Sequence, residues 1–235
     1  AIGLFSRGNG LYHLYREGRW AEAEHSTTAV LAEAVAAGSR PVEGTALETR
    51  ALVRLGQDDA AGADADSARF LELGRSIDDR HMIVNAIVVR VTVLARNGRL
   101  EEARRLATQL PSYAEGRWLS FPGSTQAVAA ARSLGLESVL VTLQSPGAWR
   151  TPWQDALEEL LIGDPDHAVE LYSALEVPKD LAFARLEAAK AHVAAGREED
   201  ARVHLVGALE FFRQAGGTPY VAEAEALLAV RAESG

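Results

Sequence analysis

Three arginines stand at one offset from a recurring glycine. Arg16, Arg54 and Arg96 each lie two positions before the glycine of Gly18-Arg19-Trp20-Ala21-Glu22-Ala23, Gly56-Gln57-Asp58-Asp59-Ala60-Ala61 and Gly98-Arg99-Leu100-Glu101-Glu102-Ala103. One helical turn earlier stand Tyr12, Arg50 and Thr92, with Arg90 nearby. Guanidinium groups bind carboxylates and phosphates through two parallel hydrogen bonds. A ladder of them along residues 4–97 would form a groove for an acidic peptide, the C-terminus of a polypeptide or a small anion. The plainer reading is that these arginines favour helix C-termini, where a cation complements the helix dipole, and otherwise face water.

A second candidate is aromatic. Trp118, Trp149 and Trp153 fall in two stretches rich in Pro, Gly and aromatic residues, 111–123 and 144–153. They could line a pocket, or wedge apolar volume between irregular neighbours as buried tryptophans do.

Other chemistry finds little footing. His13, His25, His81, His167, His192 and His204 include no pair at i, i+4, so no metal site is expected. The acidic run from Asp58 to Asp66 lacks the order of a calcium loop and reads as a solvated face. Asp64 and Asp66, two apart, point to different faces of a helix. The glycine-rich start, Gly3 to Gly10, lacks the lysine and hydroxyl of a phosphate loop. No serine sits in a nucleophile elbow, Glu158 and Glu159 are adjacent rather than facing, and there is no cysteine. The expectation is a non-enzyme with no catalytic, cofactor or metal residues.

The same glycine–alanine motif returns at Gly163 to Ala168 and Gly196 to Ala201, giving spacings of 38, 42, 65 and 33 residues. Such periods indicate stacked helical hairpins. The glycine ends one helix in the left-handed conformation. Acidic residues then open the next helix, where its dipole favours them, and the alanine permits a close crossing. The pattern predicts helices at 4–17 and 20–37, 42–55 and 58–75, and 79–97 and 100–110. A degenerate pair at 124–133 and 136–143 turns at Gly135. Helices at 152–162 and 165–175, 179–195 and 198–215 follow, with a capping helix at 219–232. The expected fold is all-α: one right-handed helical-hairpin solenoid over 1–235, of about six hairpins plus a C-terminal cap. It is regular over 1–110, irregular and Trp-rich over 111–150, and regular again over 151–235. Contacts should fall mainly between neighbouring repeats.

The formal net charge of −9 argues against duplex DNA or an anionic membrane as the main partner. No signal peptide and no apolar run of about 18 residues is evident, so a cytoplasmic location is expected. The first residue, Ala1, already sits in a helical pattern, which suggests a segment of a longer protein.

The glycine and alanine positions resemble those of the tetratricopeptide repeat. The tail is more specific. Gly163-Asp164 through Leu171-Tyr172, Ala184-Arg185-Leu186 and Ala208-Leu209-Glu210-Phe211-Phe212-Arg213 run on through Gly216-Gly217-Thr218-Pro219-Tyr220 to Glu223-Ala224-Glu225-Ala226-Leu227-Leu228. This resembles the C-terminal helical-repeat region of large bacterial signalling proteins. In those, an adenylate/guanylate cyclase or DNA-binding domain is joined to an ATPase module and then to such repeats. Trp153 fits the pattern, whereas Gly217 and Pro219 depart from it. The cyclase and ATPase motifs are not in this sequence. The resemblance therefore implies a regulatory or interaction region whose partner is a protein, a peptide or other domains of its own parent. A small-molecule sensor is the alternative.

Overall fold

A computed structural model describes residues 2–114, 124–142 and 151–229. Among these residues there are fourteen helices and no strand. They are α1 (Ile2–Arg16), α2 (Trp20–Ala36), α3 (Arg40–Gly56), α4 (Ala60–Ser76), α5 (Arg80–Arg96), α6 (Leu100–Ala107), α7 (Leu110–Ala114), α8 (Ser124–Leu134), α9 (Glu137–Thr142), α10 (Pro152–Ile162), α11 (Pro165–Ala174), α12 (Pro178–Ala194), α13 (Glu198–Ala215) and α14 (Thr218–Ala229). The single helix expected at 100–110 is interrupted at Thr108 and Gln109.

The turns keep stricter time than the glycines suggest. Left-handed residues recur every 20 positions, at Gly18, Gly38, Asp58, Asp78 and Gly98, and again at Glu176, Gly196 and Gly216. At the turns ending α1 to α5 and α12, the residue after the left-handed one donates its backbone N–H to a carbonyl five positions back, as Arg19 does to Leu14 and Asp59 to Arg54. This closure satisfies carbonyls that the helix end leaves open. The next helix is then capped from its own sequence. Asp59, Asp79 and Asp164 accept backbone N–H groups at the starts of α4, α5 and α11, and Thr151 forms a capping box with Gln154 on α10.

This timing corrects the register of the second motif. Its left-handed residue is Asp58, with φ 68°, and Gly56 is the last residue of α3. Counted from Asp58, the alanine five residues on is Ala63, which is fully buried, whereas Ala61 is exposed. Ala23, Ala103, Ala168 and Ala201 occupy the same place and are likewise buried. Gly163 is not left-handed either, with φ −104°. What Gly56 provides is space: a Cβ there would stand 2.3 Å from the Trp20 ring. Arg16 and Arg96 are thus equivalent positions, Gly56 holds the intervening one, and Arg54 belongs to a different row.

Short turns make sequence neighbours pack antiparallel, as expected. The ends of the array also meet. Beyond their neighbours, α1, α3, α5, α8, α12 and α14 touch one another around a shared interior, with α12 against α1 and α14 against α3. Trp20 is the seam: its ring stacks on Tyr15 and meets Phe211 and Tyr220 edge-on, with centroids 6.0–6.4 Å apart. Its Nε1–H donates to the Tyr15 carbonyl at 3.0 Å. One apolar core therefore runs from Tyr15 to Ala224. Contacts fall mainly between neighbouring helices, as expected, and to these the structure adds a core shared by the first hairpin and the last helices. Helix α14 does more than cap an end, since Tyr220 and Glu223 reach the interior.

Candidate functional site: the inner face

The interior is polar as well as apolar, and many of its polar groups pair with one another. Tyr15 on α1 donates to Gln126 Oε1 on α8, and Gln126 Nε2 donates to Tyr220 Oη on α14. Lys179 on α12 is 0% exposed; its Nζ lies 2.5 Å from Asp180 Oδ1 and 3.1 Å from Thr125 Oγ1. Its ammonium also lies 5.1 Å from the Tyr15 ring centroid and 5.8 Å from that of Phe183. A second series of charges crosses the interior from Arg96 through Glu223, Lys190 and Glu187 to Arg132, with N···O distances of 2.5–3.1 Å. Burial alone would push the Glu223 carboxyl up, but Lys190 and Arg96 hold it below the usual glutamate range.

The residues expected to form an anion-binding ladder are drawn into such pairs. Arg50 grips Asp66 with two hydrogen bonds of 2.7 and 2.8 Å. Arg54 donates to Asp66 and Glu24 and lies 3.5 Å from Asp59. Arg96 bonds Glu223 and covers the Tyr220 ring at 4.5 Å. Thr92 is buried and donates to the Val88 carbonyl within its own helix. Tyr12 donates to Glu48 Oε2 at 2.6 Å. Asp66 is buried rather than part of a solvated face, while Asp64 turns the other way, to Arg90 and Arg99. Helix α4 is thus clasped by arginines on both sides.

Arg16 differs. It stands over the Trp153 ring, 5.8 Å from the centroid, so one member of each candidate set meets at the corner between α1 and α10. Trp153 is 39% exposed. Trp118 and Trp149 lie outside the described residues. The apolar cavity lined by Val88, Thr92, Ala127 and Leu140 among others measures about 10 Å³. That is room for about one water.

Glu48 is the most perturbed carboxyl of the inner face. Burial pushes its pKa up to about 7, against the smaller lowering effect of the Tyr12 hydroxyl. Its Oε1 is buried without a hydrogen bond. In the unfolded state the group ionises near 4.5. The stability it contributes is fully present below that value and is lost as pH rises through about 7. We expect Glu48→Gln to remove this slope and to gain about 2–3 kcal/mol over the parent at pH 8 relative to pH 4.5. Urea denaturation across that range measures it; parallel curves for both proteins would refute it.

Sequence reading missed the interior partners because their separations are long: Gln126 is 111 residues from Tyr15 and 94 from Tyr220. It also missed Asp166, His192 and His204, which α11, α12 and α13 bring together. They stand on three different helices, so no spacing of one turn within a helix marks them. No protein-family model matches this sequence, and no curated protein matches it.

Proposed function

We propose that this protein is a non-catalytic interaction or intramolecular regulatory module of a larger signalling protein, built as a tetratricopeptide-like right-handed solenoid. The observation that carries this reading is the succession of hairpins in which most of the inner charged groups are consumed by one another. Arginines spent on Asp66, Asp64 and Glu223 hold helices in register, which leaves the outer faces and the Arg16–Trp153 corner for a partner. Helix α13 supplies one such face, with Val203 73% exposed and Val206 beside it one turn on. Isolated apolar residues are common on surfaces, but a pair on one helix face suits a protein partner. The partner is a protein, an acidic peptide or another domain of the parent; nucleic acid and membrane are disfavoured by the charge of −9. No helix among the described residues is long and apolar enough to cross a membrane, and a cytoplasmic setting suits this role.

The juxtaposition of Arg16 and Trp153 favours one second reading, a sensor for a small anion with an aromatic or apolar part. Affinity capture from the source cell's lysate, with Arg16→Glu/Trp153→Ala and Val203→Asp/Val206→Asp variants beside the parent, separates these. Loss of a captured protein with either double variant supports the module. No specific capture, together with a tryptophan fluorescence change on titration with aromatic carboxylates that Arg16→Glu abolishes, selects the sensor. Capture unaffected by both variants rejects both surfaces.

A further inference from the structure

We propose that Asp166, His192 and His204 bind one zinc ion, clamping α11, α12 and α13 together. The three side chains come from three successive helices and converge on one point. Nε2 of His192 and Nε2 of His204 each stand 2.8 Å from the same oxygen, Asp166 Oδ1. One donor atom from each residue lies within 4.8 Å of the other two. The imidazole rings lie nearly parallel, 8° apart, with centroids separated by 5.2 Å. Two neutral imidazole nitrogens and one carboxylate oxygen are the donor set that zinc takes at sites with three protein ligands and an open position.

Without an ion, two neutral rings that each donate Nε2–H to Asp166 Oδ1 hold the same arrangement, so the metal has to displace two hydrogen bonds. His192 is 2% exposed and its Nδ1 is buried with no hydrogen-bond partner. A proton on His192 Nδ1, which frees Nε2 for a metal, is buried with no acceptor, a cost that coordination of the ion has to offset. The neutral rings can each hold a proton on either nitrogen. With the proton on Nδ1, the Nε2 lone pair faces the shared point, so metal binding needs a tautomer shift and no net proton loss. Donors around a tetrahedral zinc stand about 3.3 Å apart. The Asp166–histidine separations need to open by about 0.5 Å from their hydrogen-bonded values.

The elements suit a clamp. Asp166 lies in the first turn of α11, His192 in the last turn of α12 and His204 in the second turn of α13. The 12-residue step from His192 to His204 is the step from Arg54 to Asp66, each crossing a hairpin from four positions before the left-handed residue to eight after it. The fold places facing side chains at that pair of positions in both hairpins. Access is from the Asp166 side, where the carboxylate is partly exposed while His192 is sealed inside. The fourth coordination position therefore faces solvent and takes water. His192 Nδ1 gains no acceptor on binding, and the absence of such an outer partner weakens metal sites by about 10–100-fold. A micromolar rather than a nanomolar dissociation constant follows.

The experiment is competition for Zn²⁺ between the whole protein, stripped with chelator, and a chromophoric chelator of micromolar affinity. Thermal unfolding with Zn²⁺ or Mg²⁺ runs alongside. We expect one ion per molecule and a rise in Tm of about 5–10 °C at a hundredfold excess of Zn²⁺ over its Kd, with none for Mg²⁺. His204→Gln and Asp166→Asn, both at partly exposed positions, are expected to weaken uptake by at least about tenfold while circular dichroism stays native. His25→Ala, on α2, is expected to leave uptake unchanged. Failure of the parent protein to take up Zn²⁺ at micromolar concentrations overturns the proposal. So does uptake equal to the parent's in folded His204→Gln and Asp166→Asn.

Discussion

Asp180→Ala is expected to cost about 3–5 kcal/mol, because it removes the carboxylate that stands 2.5 Å from a wholly buried lysine. Lys179 is wholly buried among Asp180, Thr125 and the faces of Tyr15 and Phe183. Burial already lowers the lysine's pKa, opposed by Asp180, which raises it. Without Asp180 the lowering deepens. The folded variant then binds fewer protons than the folded parent between its own lysine pKa and the parent's, so its deficit shrinks as pH rises through that window, which lies below 10.5. A double replacement, Lys179→Met/Asp180→Leu, removes both charges and recovers most of the loss. Guanidinium denaturation of the three proteins measures this. A single variant within about 1 kcal/mol of the parent would show that the pair contributes only packing.

Trp20→Ala carries the other large effect, about 3–5 kcal/mol, for two reasons that add. The side chain is among the largest fully buried ones, and its removal leaves a cavity between Tyr15, Gly56, Phe211 and Tyr220. It also joins the first hairpin to the last helices. In an array whose repeats touch only their neighbours, helices open in stages. Here the seam couples both ends, so the parent should unfold in one step and Trp20→Ala should broaden the transition and lower its denaturant slope. A loss below about 1 kcal/mol with an unchanged slope would mean that other contacts close the ends.

How much was legible follows from where each feature is encoded. Helix boundaries sit in local chemistry: the Gly18, Gly98 and Gly196 turns and the acidic starts behind them place most helix ends within about two residues of the observed ones. The register of the second hairpin was misread because two residue types can do one job. Asp58 adopts the left-handed turn that glycine usually fills, as aspartate and asparagine can, and nearby Gly56 is a glycine for steric reasons. That two-residue slip aligned Arg54 with Arg16 and Arg96, and from it came the apparent ladder. The partners of those arginines were partly visible, since Asp64 and Asp66 point oppositely on one helix. The interior pairs were not. Gln126 with Tyr15 and Tyr220, and Arg96 with Glu223, depend on how tightly the array curves, which no local pattern in the sequence states.

That curvature sets a limit on growth. An open stack of hairpins accepts another unit of about 40 residues anywhere, since the newcomer needs only two neighbours. In this protein an added hairpin between α4 and α5 would prise Trp20 from Phe211 and Tyr220 and leave Arg96 short of Glu223. An added single helix of about 20 residues would turn every later helix inside out. The number of repeats is therefore part of the fold, as the number of staves is part of a barrel.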